Sequence, residues 1–132
     1  NSSYILYNNN CISSCPSQTY NSSNVCVNCI DTSCSRCNET NCLICLSNYY
    51  LYDGRCYLSC PVGTRIDNLI CSLCPQGCRT CITNTDCTSC FSGFLVQGSS
   101  CVTSCQNGTI NFNATTCVSS CPVGYFNNGG VC

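Results

Sequence analysis

Residues 71–90 read CSLCPQGCRTCITNTDCTSC, six cysteines in twenty positions arranged as three C-x2-C pairs, and residues 26–45, CVNCIDTSCSRCNETNCLIC, repeat the pattern. Working outward from these clusters, cysteines stand at 11 and 15, 56 and 60, and 101 and 105, so Cys11, Cys56 and Cys101 are 45 residues apart each time. A fixed period of this size marks a repeat array, in which each unit contacts mainly its neighbours. The spacing divides the chain into residues 1–10, the end of a preceding repeat; 11–55, repeat 1; 56–100, repeat 2; and 101–132, a variant repeat 3 that continues beyond the segment. The variant lacks the compact cluster: after Cys105 come Cys117 and a second C-x3-C-P-x-G, then Cys132. The expected shape is an elongated rod.

Cysteine accounts for 21 of 132 residues, so the other apolar types together make up less than a third of the chain. A sequence that cannot bury enough apolar surface replaces the missing stabilisation with crosslinks, and this cysteine density marks a disulfide scaffold from an oxidising compartment. The localisation expected is extracellular or cell surface, reached through the secretory pathway. Nine residues are charged, four Arg, four Asp and one Glu, and there is no Lys or His. With no basic run to meet a phosphate backbone, nucleic acid is not an expected partner. No window approaches the length of a membrane span and residues 1–10 have no signal-peptide pattern, so the reading places any export signal or anchor outside this segment, with no direct membrane contact within it.

The loops between clusters carry the only regular alternation. NSSYILYNNN (1–10), LSNYYLYDGR (46–55) and FSGFLVQGSS (91–100) share Ser at the second place and an aromatic, Tyr4, Tyr49 or Phe94, at the fourth. The later two lie between cysteines, which predicts a cysteine just before Asn1. Pairs such as Asp53-Gly54 and Gln97-Gly98 after these short alternations suit two-stranded hairpins. No cysteine-free stretch inside the array exceeds eleven residues, too short for a useful helix. The fold class expected is small and disulfide-rich, with short β-hairpins and little helix.

At its joints the chain reads CISSCPSQTY, CYLSCPVGT and CVSSCPVGYF. Joined to C-x2-C clusters, this motif resembles the furin-like, or growth-factor-receptor, cysteine-rich repeats, of the kind abundant in surface proteins of ciliates and other protists. Gln18 stands where that pattern has Gly, and Gln106 where it has Pro. Spacing alone allows very many pairings. The resemblance implies loop bridges Cys15 to Cys26, Cys45 to Cys56, Cys60 to Cys71, Cys90 to Cys101, Cys105 to Cys117 and Cys121 to Cys132. It implies knots of Cys29 to Cys37 with Cys34 to Cys42, and Cys74 to Cys81 with Cys78 to Cys87. Cys11 is left unpaired within the segment.

A zinc site would use the C-x2-C spacing but leave the C-x3-C pairs and ten-residue loops without a purpose, and no His is available. Six equivalent C-x2-C pairs likewise argue against a single activated redox thiol. Acids at Asp31, Glu39, Asp53, Asp67 and Asp86 are scattered, and read as turn-forming or solvated groups; no catalytic, cofactor or metal residues are assigned. N-x-S/T acceptors at Asn1, Asn21, Asn38, Asn107 and Asn113 are candidate N-glycosylation sites. The loop aromatics read first as packing over neighbouring bridges, with Tyr49, Tyr50 and Tyr52 the candidate contact cluster. The function expected is a non-enzymatic extracellular structural module: a glycosylated, disulfide-laddered rod serving as spacer or building block of a surface coat, appendage or filament. Its partners would be further copies or other surface proteins. The alternative is a fragment of a receptor ectodomain that positions a ligand-binding domain lying outside the segment.

Overall fold

Short turns built from left-handed residues decide the local structure. In Asn8-Asn9 (φ 46 and 64), Ser23-Asn24 (51 and 67), Asp53-Gly54 (48 and 73) and Asn113-Ala114 (55 and 53) both turn residues have positive φ. That backbone twists with the flanking strands and closes the first three hairpins in two residues, and the last in three with Thr115. The computed structural model describes residues 3–132, and the described residues contain sixteen strands of three or four residues and no helix.

The first sheet holds β1 (Ile5–Tyr7), β2 (Asn10–Ile12), β3 (Thr19–Ser22) and β4 (Val25–Asn28) in the order β2-β1-β4-β3. Both hairpins are antiparallel, with Leu6 opposite Cys11 and Asn21 opposite Cys26, and they join through a parallel pairing of Leu6 with Val25. The sheet recurs as β7 (Tyr50–Tyr52), β8 (Arg55–Tyr57), β9 (Thr64–Asp67) and β10 (Ile70–Leu73), and again as β13 (Leu95–Gln97), β14 (Ser100–Val102), β15 (Ile110–Phe112) and β16 (Thr116–Val118). Two bulged hairpins come between them in the sequence: β5 (Cys34–Cys37) with β6 (Cys42–Cys45), and β11 (Cys78–Cys81) with β12 (Cys87–Cys90). These are the knots. The chain divides into two compact units, one of Asn1–Cys60 with Ile66–Cys71 and one of Pro61–Arg65 with Ser72–Cys132.

One backbone hydrogen bond is repeated three times in each unit. The N–H of a strand residue donates to the carbonyl two positions before the closing cysteine of the following loop. The pairs are Leu6 to Asn24 (2.8 Å), Cys42 to Gly54 (2.7 Å) and Leu51 to Leu69 (2.9 Å) in the first unit, and Cys87 to Ser99 (2.8 Å), Val96 to Thr115 (2.7 Å) and Asn111 to Gly130 (3.0 Å) in the second. Each loop is thus pinned to its neighbour at a residue whose position is set by a bridge.

The joints need a left-handed residue three positions after their second cysteine: Gly63 (φ 85), Gly108 (77) and Gly124 (93), but Gln18 (68) in the first. An L-residue there costs about 1 to 2 kcal/mol. Gln18 offsets this by donating its Nε2 to the Thr32 carbonyl (2.8 Å), a bond glycine cannot make. Gln106 has a comparable reason to replace proline, since its N–H donates to Gln97 Oε1 (3.0 Å). The joint turns are closed further by Thr19, Thr64 and Thr109, whose hydroxyls donate to the carbonyls of Pro16 (2.7 Å), Pro61 (2.6 Å) and Gln106 (2.6 Å).

Little apolar surface is sequestered. The buried hydrophobic residues are Ile5, Leu95 and six cysteines, Cys34, Cys42, Cys71, Cys78, Cys87 and Cys117, whereas Ile30, Leu58, Leu69 and Ile82 are exposed. The ten bridges take over. Six close the ten- or eleven-residue loops, Cys15–Cys26, Cys45–Cys56, Cys60–Cys71, Cys90–Cys101, Cys105–Cys117 and Cys121–Cys132. Four form the crossed knots, Cys29–Cys37 with Cys34–Cys42 and Cys74–Cys81 with Cys78–Cys87. They coincide with the pairs the furin-like resemblance implies, and Cys11 is an exposed free thiol. Closing loops of this size contributes about 2 to 3 kcal/mol each through the unfolded chain.

Two turn substitutions are expected to shift stability in opposite directions. Ala114→Gly relieves a left-handed alanine in open turn and is expected to stabilise by about 0.5 to 1 kcal/mol. Gly77→Ala places a Cβ 2.6 Å from the Phe94 ring at φ 76 and is expected to cost about 1 to 3 kcal/mol. Denaturant unfolding with the bridges intact measures both.

Candidate functional site: the junction of knot and loop

In the first unit a cleft of about 400 Å3 lies where the first knot meets the loop closed by Cys45–Cys56, with Asp31, Asn38, Asn41, Arg55 and Tyr57 among its lining. The C-x4-C spacing from Cys29 to Cys34 leaves room for Asp31 at the head of the turn into β5. Asp31 Oδ1 accepts the Ser33 N–H at 2.8 Å, a local turn closure of the kind Asp makes readily. Its Oδ2 accepts the N–H of Cys56 at 2.9 Å, 25 residues further along. Desolvation on burial pushes the carboxyl up, but the N–H groups of Cys56 and Ser33, the Ser33 side chain and the Arg55 charge together outweigh it and hold the pKa below the usual carboxylate value. Asp31 therefore fastens the knot to the next loop as an ionised acceptor. The turn-forming role was readable from its residue type; the long-range bond was not, because repeat 2 has a shorter C-x3-C spacing there and no acid.

Asn38 caps the far turn of the same knot. Its Oδ1 accepts the N–H groups of Thr40 (3.0 Å) and Asn41 (2.7 Å). One period later Thr83 does the same work, its Oγ1 accepting from Thr85 (3.2 Å) and Asp86 (3.0 Å). Asn38 is exposed, as are Asn21, Asn107 and Asn113, while Asn1 lies outside the described residues.

Beneath the cleft the bridges touch. Cys42 Sγ lies 3.2 Å from Cys56 Sγ, and in the second unit Cys87 Sγ lies 3.2 Å from Cys101 Sγ. With the thiol hydrogens gone these are non-bonded sulfur contacts. Cys34, Cys42 and Cys56 form one trio of sulfurs within 4.8 Å of one another, and Cys78, Cys87 and Cys101 form another. Metal ligation needs thiolates, and each of these sulfurs is committed to an S–S bond.

The aromatics divide into two sets. Phe94 lies over Gly77, where an added Cβ would meet its ring at 2.6 Å, and Phe91 faces Gly63 in the same way at 3.3 Å. Tyr52 packs edge-on to Tyr57, and Phe112 to Tyr125, with centroids 6.3 Å and 5.2 Å apart. Tyr49, Tyr50 and Tyr52 are each half-buried, whereas Tyr4, Tyr125 and Phe126 are exposed. No protein-family model matches the chain, and no curated protein matches its sequence.

The lowered pKa of Asp31 gives a pH test. A carboxyl with a folded pKa below its unfolded one contributes stability that is present above the unfolded value and is lost as pH falls through the folded one. Asp31→Asn is expected to lower stability at neutral pH and to flatten the acid limb. The gap between the two proteins should close as pH falls below the ordinary carboxylate range, measured by denaturant unfolding across pH. Parallel curves at every pH would refute the role given to the charge.

Proposed function

We propose that the protein is a non-enzymatic structural module of an extracellular surface, a relative of the furin-like repeats that serves as a glycosylated, disulfide-laddered spacer or building block of a coat, appendage or filament. The observation that carries this reading is the repetition of a single construction step. The same loop bridge and the same inter-loop hydrogen bond recur three times within each unit, in a chain whose joint cysteines Cys11, Cys56 and Cys101 stand 45 residues apart. Ten bridges belong to an oxidising environment, and no helix among the described residues is long and apolar enough to cross a membrane.

Repeated patches favour contacts between copies that need not close, the geometry of fibres. A chain with nine charged residues offers little long-range repulsion against such contacts. Sugar on the exposed sequons Asn21, Asn38, Asn107 and Asn113 would supply hydrophilic cover. The partners proposed are further copies of the chain or other surface proteins, with 49–52 as the contact.

Sedimentation and electron microscopy of the glycosylated protein test the assembly, beside a variant carrying Tyr49→Ser, Tyr50→Ser and Tyr52→Ser. Concentration-dependent polymers lost in the variant are the expected outcome. A monomer at every concentration, or unchanged assembly of the variant, contradicts the contact. A parent chain carrying a membrane span followed by a signalling domain would favour the receptor reading instead.

A further inference from the structure

Each knot meets the next loop bridge with two alternative disulfide pairings already in place on one backbone. In the first unit the bridges are Cys34–Cys42 and Cys45–Cys56. Cys34 and Cys45 are direct cross-strand partners in the β5–β6 register. Opposed Cα atoms in an antiparallel pair lie roughly 4.5 to 5.5 Å apart, inside the span of roughly 4.4 to 6.8 Å that a disulfide bridges. The remaining two cysteines, Cys42 and Cys56, have their sulfurs 3.2 Å apart, with the Cys42 N–H bonded to Gly54 at 2.7 Å beside them. The second unit repeats every part: Cys78 is the register partner of Cys90, and Cys87 Sγ lies 3.2 Å from Cys101 Sγ. Neither sulfur trio includes a member of the other knot bridges, Cys29–Cys37 and Cys74–Cys81.

We infer that both junctions are thiol–disulfide exchange sites, at which a small external monothiol converts Cys34–Cys42 with Cys45–Cys56 into Cys34–Cys45 with Cys42–Cys56. Cys78, Cys87, Cys90 and Cys101 exchange in the same way. Access sets the order of events. Cys34 and Cys42 are 0% and 5% exposed, while Cys45 and Cys56 are half-buried, so the entering thiolate attacks the Cys45–Cys56 bridge, and the productive attack is on Cys45 because it frees Cys56, the sulfur beside Cys42. It forms a mixed disulfide there and releases the Cys56 thiolate. That thiolate stands at reacting distance from Cys42; it bonds to Cys42 Sγ and breaks the Cys34–Cys42 bond, releasing the Cys34 thiolate. Cys34 then attacks Cys45 Sγ across the strand pair, forms Cys34–Cys45 and expels the monothiol unchanged. Two S–S bonds are broken and two are made, with no net oxidation or reduction.

The exchange differs from C-x2-C redox chemistry, since no dithiol is formed, and it changes which segments are tied without lowering the number of ties. Knot and loop would become one larger closed unit, giving a crosslinked surface protein a route to rearrange in place.

The test uses the intact protein with Cys11, an exposed thiol, first blocked by alkylation. It is incubated with a substoichiometric amount of reduced glutathione, acid-quenched, alkylated and digested without reduction. Fragmentation between Cys42 and Cys45, and between Cys87 and Cys90, then assigns the pairs. The expected result is that Cys42–Cys56 and Cys34–Cys45 arise together, as do Cys87–Cys101 and Cys78–Cys90, with free thiol content unchanged. These pairs should be on the order of tenfold more abundant than any other non-native pair, the advantage of a positioned thiolate over diffusing segments. Retention of native pairs alone overturns the inference. So does a non-native population led by other pairs, such as Cys37–Cys42, which are also register partners.

Discussion

Everything in this chain depends on the closing of ten-residue loops by covalent bonds. A loop of that size, tied at its ends and folded at a turn with one or two left-handed residues, has little freedom in its hairpin register. The carbonyl two residues before the closing cysteine is then delivered to a fixed place, where it accepts from the preceding strand in each of six successive steps. Hydrophobic burial has only a small share, with Ile5 and Leu95 the sole buried aliphatic residues among those described. The restriction of the unfolded chain by crosslinks replaces the core.

The sequence carried the repeat period, the hairpins and the absence of helix because cysteines and turn residues act locally. Asp53-Gly54 and Asn128-Gly129-Gly130 are turn signals whose meaning needs no tertiary context, and both close hairpin turns, the latter bringing Asn128 opposite Val131. The parallel step between loops was not legible. It joins Leu6 to Val25, Leu51 to Ile70 and Val96 to Thr116; the sixth-place aliphatics recur on the 45-residue period, but nothing in that recurrence says which strand each will pair with. Gln18 and Gln106 show the limit from the other side. Each breaks the joint motif, and each makes a side-chain or backbone bond that the motif residue could not, which only the folded neighbours Thr32 and Gln97 explain.

The junction of knot and loop gathers the features that a structural ladder does not by itself require. Asp31 ties β5's approach to Cys56, Asn38 caps the opposite turn, and two bridges sit sulfur to sulfur beneath them. The second junction keeps the sulfur contact and the cap while losing the acid, so these parts vary independently. Such density follows from economy. Where every loop is short, the only rigid places are beside the bridges, and polar side chains that need a fixed partner find it there.

Covalent closure, in place of an apolar core or a bound metal, is what this structure rests on. Amide hydrogen exchange before and after complete reduction with a phosphine, run beside treatment with a strong chelator, measures it directly. Reduction is expected to remove protection from the strand amides of both units together, including Leu51 and Val96, and the chelator to change nothing. Protection that survives full reduction, or that is lost to the chelator with the bridges intact, would contradict that expectation.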